Sequence, residues 1–289
     1  MSSSSSSPGI QAAIERMEAV FPQRLVALGA QRQVAWREAG DGESDFAYVC
    51  LHGISSSAAS WFGVAERLLA NARVLAWDAP GYGESTPLSV DAPTDADYAR
   101  VLGESLAALG VRRCVLVGHS LGCLVAARWA CDASALQIQI RQLVLMSPAG
   151  GYGAPAKAEQ RARVMSGRVD ALRDQGVSGI AAVIDQRLCA PGAPGPAREW
   201  VRWNASRMRA GGYLQAVHLL CSGDLGEASG RLTMPVHVWV GTEDVVTTPE
   251  ASEAWARRLG AQYVTLAKAG HACVVEQPEK IAQMLAHLS

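Results

Sequence analysis

The sequence predicts an α/β fold: a mostly parallel central sheet with helices on both faces and a helical insertion. Three observations lead there. Residues 114–117 are a run of four apolar residues that enters Gly118-His119-Ser120-Leu121-Gly122 directly and continues into the helix-like Leu-Val-Ala-Ala-Arg-Trp-Ala. Strand-like runs alternate with helix-like spacing on either side of it, as a parallel sheet with crossover helices requires. Between Ser147 and Arg231 the strand signal stops, and helix-like segments around 157–174, 177–189, 197–209 and 212–221 replace it, separated by Gly/Pro clusters such as residues 190–196.

Taken in order, Met1 and the six serines that follow, with Pro8 and Gly9, read as a disordered tail, since they lack the positive start and apolar core of a signal peptide. Ile10, Ala13, Ile14, Met17 and Val20 recur at helical spacing, and Pro22 ends that helix. Residues 24–28 and 33–38 read as a hairpin, and 47–51 as a third strand ending at His52-Gly53. A helix over 58–70, a strand over 73–77, a helix over 95–109 capped by Thr94 and the strand 114–117 follow. Residues 143–146, 236–240 and 263–266 supply the remaining strands, and 281–288 a closing helix. The expected division is therefore a tail over 1–9, a core over 10–150 and 231–289, and a lid over 151–230. An insertion that leaves one strand's carboxyl end and returns before the next lies over the ends where open parallel sheets bind ligands.

Composition narrows the partners. The 289 residues carry a formal net charge of -1, with 18% charged and 49% hydrophobic residues, so neither a basic surface for nucleic acid nor an acidic run is present. A small molecule is the expected partner. No window approaches the roughly 20 apolar residues of a membrane span, and no membrane partner is expected. Seven scattered cysteines without a C-x-x-C pair read as reduced thiols, which suits a cytoplasmic location. The six histidines lack ligand spacing and the glycine clusters lack a following Lys-Ser/Thr, so neither metal nor cofactor is expected. Oligomeric state is left open.

The chemistry centres on Ser120. Gly-x-Ser-x-Gly between a buried strand and a helix is the nucleophile-elbow pattern: the turn is too tight for Cβ atoms at Gly118 and Gly122, and it raises the serine hydroxyl above the sheet. A serine hydroxyl is a weak nucleophile at neutral pH and needs a base, itself oriented by an acid. Asp244 follows the strand 236–240 in Val-Gly-Thr-Glu-Asp, and His271 follows the strand 263–266 in Lys-Ala-Gly-His-Ala. The order Ser, Asp, His is the one expected of this elbow.

With these residues in view, the chain resembles α/β-hydrolase fold enzymes that carry a helical cap. The match rests on His52-Gly53, on Asp78-Ala79-Pro80-Gly81-Tyr82-Gly83-Glu84-Ser85, on Gly118 to Gly122, on Gly241-Thr242-Glu243-Asp244 and on Gly270-His271, and extends from about residue 24 to the C-terminus with the lid unmatched. The resemblance implies Ser120 as nucleophile, His271 as general base and then acid, and Asp244 as orienter of the imidazole. It implies an oxyanion hole from the backbone N–H groups of Leu121 and Ile54. His52 and His119 match no triad position and are expected to be scaffolding. Ser55, Ser56 and Ser57 read as loop and helix cap, Asp78 as an acceptor within its own tight turn, and Glu276 as a local acceptor. In the lid, Trp200, Trp203 and Arg207 are the candidate substrate contacts, and the arginine excess there is compatible with a carboxylate-bearing substrate.

The first functional expectation is a serine hydrolase of a small or medium carboxylic ester or lactone, working through an acyl-enzyme. A carbon-carbon bond hydrolase of ring-cleavage products shares fold, lid and triad, but its members usually carry an aromatic residue after the catalytic histidine, where this chain has Ala272-Cys273. An acyltransferase of the same fold and a non-catalytic ligand receptor are the remaining readings. Dehalogenases and epoxide hydrolases are disfavoured because their elbow nucleophile is aspartate.

Overall fold

The computed structural model describes residues 7–68, 72–132 and 138–288. The first six residues of the expected tail, and the end of the expected 58–70 helix, lie outside them. Pro8 and Gly9 are not tail. They open helix α1 (Pro8–Val20), because Pro8 at the first helical position is pre-set for the turn and Ser7 accepts the Ile10 N–H.

Eight strands form one sheet: β1 (Gln23–Ala27), β2 (Gln33–Ala39), β3 (Phe46–Leu51), β4 (Arg73–Trp77), β5 (Arg113–His119), β6 (Gln139–Met146), β7 (Val236–Gly241) and β8 (Gln262–Leu266). Their spatial order is β1-β2-β4-β3-β5-β6-β7-β8, antiparallel at β1/β2 and β2/β4 and parallel from β4 onward. Every residue of β4 and β7 is buried, as are all but the first of β3 and β5, so these strands are mostly apolar, with Arg73 and His237 the buried exceptions in β4 and β7. The edge strands β1 and β8 are largely open to solvent.

Helices cover both faces. On one side lie α3 (Asp95–Ala108), α4 (Gly122–Asp132) and α9 (Pro249–Leu259), packed on Trp36, Trp77, Leu116 and Val238. On the other are α1, α2 (Phe62–Leu68) and α11 (Pro278–Ala286), packed on Tyr48, Val117, Val144 and Trp239. Their ends follow local chemistry: Asp97 accepts the Thr94 N–H at 2.9 Å to start α3, and α9 begins at Thr248-Pro249 and stops at Gly260, whose φ of 65° is left-handed. The expected helix over 58–70 is a 3-10 turn over Ala58–Trp61 followed by α2.

Between β6 and β7 the chain is helical: α5 (Ala158–Val183), α6 (Asp185–Leu188), α7 (Gly195–Ser206) and α8 (Ala210–Ser222). The break expected near 175 is Gly176, whose φ of 64° kinks α5. Of these helices, α7 packs on the short α10 (Cys273–Glu276) that follows β8 and on the 3-10 turn that follows β3.

Candidate active site

Ser120 sits where β5 turns into α4, with φ at 52°, a left-handed conformation that costs a non-glycine residue on the order of 1–3 kcal/mol. The surroundings over-determine it. Its N–H donates to Met146 O at 2.9 Å, and its carbonyl accepts from Cys123 and Ala149. A Cβ on Gly118 would lie 2.7 Å from Gly122 O, and one on Gly122 would lie 2.6 Å from Leu51 O, so both flanking positions exclude any side chain. Gly53 is close as well, since a Cβ there would lie 3.0 Å from Ser120 Cβ.

Asp244 and His271 meet across the ends of β7 and β8. His271 Nδ1 donates to Asp244 Oδ2 at 2.9 Å, and both side chains are buried. Asp244 Oδ1 accepts the Val246 and Thr247 N–H groups at 2.8 and 2.9 Å, and Oδ2 also accepts from the Thr247 hydroxyl at 2.9 Å. Burial pushes this carboxyl upward, but the hydrogen bond and charge of His271 and the two amides hold it well below the usual carboxylate range. It stays ionised, and Nδ1 keeps its proton. With Nδ1 engaged by the carboxylate, Nε2 is the ring nitrogen left to act as an acceptor. Among the described residues neither Nε2 nor Ser120 Oγ has a hydrogen-bond partner, and such contacts commonly close only around substrate.

The other two histidines near the serine hold backbone. His119 Nε2 donates to His271 O at 2.7 Å, and its ring lies 5.1 Å from that of His271. His52 accepts the Ala79 N–H at 3.0 Å through Nε2 and donates from Nδ1 to Gly53 O at 2.8 Å. Burial, then the neighbouring His271, lowers His119 to about 3, and burial also lowers His52. The folded state thus favours the neutral ring at both positions, whereas the unfolded chain protonates near the ordinary value of about 6.5. Their contribution to stability is complete above that value and is lost as pH falls toward the folded one, at up to about 1.4 kcal/mol per pH unit each. Urea unfolding between pH 7 and 4.5 should show this fall, with a shallower slope in His119→Gln, whose amide can still donate to His271 O. Parallel profiles would mean that His119 is not held neutral.

Two backbone donors face no acceptor. Among the described residues the N–H groups of Ile54 and Leu121 make no hydrogen bond, although both residues are buried. The Ile54 carbonyl is fixed by Tyr82 Oη at 2.6 Å. Asp78 departs from its expected role: its carboxylate reaches out of its own turn to accept the Ala58 N–H at 2.8 Å, while its carbonyl takes the Ser85 hydroxyl. Ser57 caps the 3-10 turn as expected and also donates to Asn204 Oδ1 on α7.

The helical segment clamps the histidine loop. The Ala272 N–H donates to Leu188 O at 2.8 Å, and Glu276 accepts from Gly270 at 3.0 Å and from Ala190 at 2.8 Å. Glu276 is thus more than a local acceptor, because it joins the residue before His271 to the end of α6. Removing it strands two amides, so Glu276→Ala should lower the unfolding free energy by about 2–4 kcal/mol. Chemical denaturation measures this; a change below about 0.5 kcal/mol, the scale of ordinary surface substitutions, would show that the clamp contributes nothing.

Space for a ligand lies next to these groups. A small cavity of about 30 Å³, bounded by Ser55, Ser56, His119, Asn204 and Ala272, holds roughly one water. Ser55 also borders a larger cleft of about 410 Å³ formed with α5, α6 and α8. Trp200, Trp203 and Arg207 border neither. Trp200 donates to Ala59 O at 3.2 Å and packs on Phe62 and on Trp203, and Arg207 stacks over Trp203 at 4.8 Å. Val201 and Asn204 of α7 line the small cavity, and these three residues do not. Sequence reasoning missed Thr247, Asn204 and Tyr82. Thr247 had a local signal, three residues after Asp244 in a turn; the other two are brought in from distant elements.

A mostly parallel eight-stranded sheet with a strand-serine-helix turn at its centre is the α/β-hydrolase class of fold. The chain belongs to the alpha/beta hydrolase family, whose sequence model matches residues 48–284. It is 26% identical over 274 residues to (E)-2-((N-methylformamido)methylene)succinate hydrolase of Acinetobacter baylyi, covering 91% of this chain and 96% of that protein. It is 25% identical over 250 residues to the putative carbamate hydrolase RutD of Cronobacter turicensis, covering 82% and 88%. Among solved structures, a thermophilic esterase from Thermogutta terrifontis superposes with a TM-score of 0.77 at 26% identity, over 92% of this chain and 97% of that one. No helix among the described residues is long and apolar enough to cross a membrane.

Proposed function

We propose that this member of the family is a serine hydrolase that cleaves a small or medium carboxylic ester or lactone through an acyl-enzyme. The observation that carries the reading is the buried Asp244–His271 bond of 2.9 Å beside the strained elbow of Ser120. Ser120 Oγ attacks the carbonyl carbon while His271 Nε2 takes its proton, and the imidazolium is stabilised by ionised Asp244. The oxyanion is received by the free N–H groups of Leu121 and Ile54, each such donor being worth about 2.7–4 kcal/mol in the transition state. Collapse expels the alcohol, which leaves with the proton from His271. Water, deprotonated by His271, then attacks the acyl-enzyme and releases the acid and Ser120.

In this reading residues 151–230 are the cap and 10–150 with 231–289 the core. The cap excludes water and shapes the acyl pocket, supported by its bonds to the histidine loop. The similarity to the esterase supports the ester reading; the similarity to a putative carbamate hydrolase favours a carbamate as the second scissile class. A panel of aryl esters, lactones and aryl carbamates, together with labelling by a fluorophosphonate, tests the proposal. Turnover with label on Ser120 is expected; turnover without that label would reject Ser120 as nucleophile.

A further inference from the structure

The cleft that Ser55 lines has an unbalanced charge. Arg163, Arg168 and Arg187 line it, and no aspartate or glutamate does. The chain as a whole is not basic, with a net charge of -1. Several arginines elsewhere are ion-paired: Arg37 meets Glu18, Arg73 meets Glu38, and Arg198 and Arg202 share the buried Asp185. Among the described residues Arg168 and Arg187 have no ion pair, and Arg163 has only the exposed Glu159 at 3.7 Å. Arg168 is half-buried and oriented by one donation, at 3.1 Å, to Tyr213 Oη. The remaining wall is apolar, including Val164, Ile180 and Ile184.

An uncompensated guanidinium in a concave, partly apolar site is a receptor for a planar anion, because its fixed fork of N–H donors matches the two oxygens of a carboxylate. The volume of about 410 Å³ is that of a small-molecule site. Ser55, one of its lining residues, directly follows Ile54, whose N–H is free among the described residues. We infer that the substrate carries a free carboxylate away from the bond that is cleaved, bound in this cleft by Arg168 and Arg187. The inference rests on the hydrolase reading for its link to turnover, but not for binding itself.

Two pairs of esters test it, one with the carboxylate on the acyl side and one with it on the alcohol side: 4-nitrophenyl hydrogen glutarate against 4-nitrophenyl pentanoate, and 4-acetoxybenzoate against its methyl ester. In at least one pair, kcat/KM for the acidic member should exceed that for the neutral one at least tenfold at low salt. That ratio should drop at least tenfold in Arg168→Gln or Arg187→Gln. Arg173→Gln, whose side chain pairs with Asp170 and Asp174 outside the cleft, should leave the ratio unchanged. Arg187 is exposed, so its variant is informative even if Arg168→Gln folds poorly. Calorimetry of glutarate with wild type and with the two variants adds a readout independent of turnover, with at least tenfold weaker binding expected in the variants. Preference for the neutral member in both pairs, an unchanged ratio in both variants, or no glutarate binding to wild type would overturn the inference. Absence of all ester turnover with glutarate still bound would instead count against the hydrolase reading alone.

Discussion

Replacing Ser120 with alanine should lower kcat by at least about 10³-fold and leave the melting temperature nearly unchanged. The side chain contributes one small hydroxyl that has no hydrogen-bond partner among the described residues, so little folding energy is lost with it. The strained φ of 52° belongs to the backbone and is imposed by the Met146, Cys123 and Ala149 bonds; alanine has a Cβ and bears the same strain. Activity loss without a stability loss therefore separates a reacting group from a packing group. Steady-state assays and calorimetric melting of the same preparation check it. A variant that keeps a tenth or more of its activity would remove Ser120 from the chemistry, and one that melts far lower would make any activity loss uninterpretable.

The second large effect is expected at Asp244. In Asp244→Asn the amide oxygen is held at the Oδ1 position, where two backbone N–H groups point at it from 2.8 and 2.9 Å. The NH₂ group then faces the Thr247 hydroxyl and His271 Nδ1, both of which had been donating. To relieve this, the imidazole moves its proton to Nε2, and a protonated Nε2 cannot accept from Ser120. A fall of about 10³- to 10⁴-fold in kcat is expected, the scale known for a triad left in the wrong tautomer. Glu243→Gln is the control. Its side chain is exposed, and only its backbone is engaged, through the N–H to Ala269 O at 2.9 Å, so less than about a threefold change should follow. The opposite ranking in kcat would move the orienting acid by one residue.

Much of this was legible in the chain because the determinants are local. Unbroken burial of β3, β5 and β7 appears as runs of apolar residues, and the flanking glycines of Ser120 mark a turn whose sterics act within five residues. The pairing of Asp244 with His271 could be anticipated because parallel connections deliver every strand's carboxyl end to the same edge of the sheet. Even the kink at Gly176 was visible as a break in helical periodicity.

What the tertiary structure alone decided is which faces of the inserted helices meet that edge. Trp200 and Trp203 are the most conspicuous apolar residues of α7, yet they pack toward Phe62 and Ala59, and less conspicuous Val201 and Asn204 turn to the cavity near His119. Arg207 was one of nine arginines in the insertion. Helical spacing puts several of them on plausible faces, but only the packing of α5 with α6 and α8 brings Arg163, Arg168 and Arg187 into the cleft that Ser55 also lines. A strand buried on both faces has no orientation left to choose. An amphipathic helix does, because its rotation about its own axis is set by partners far away in sequence.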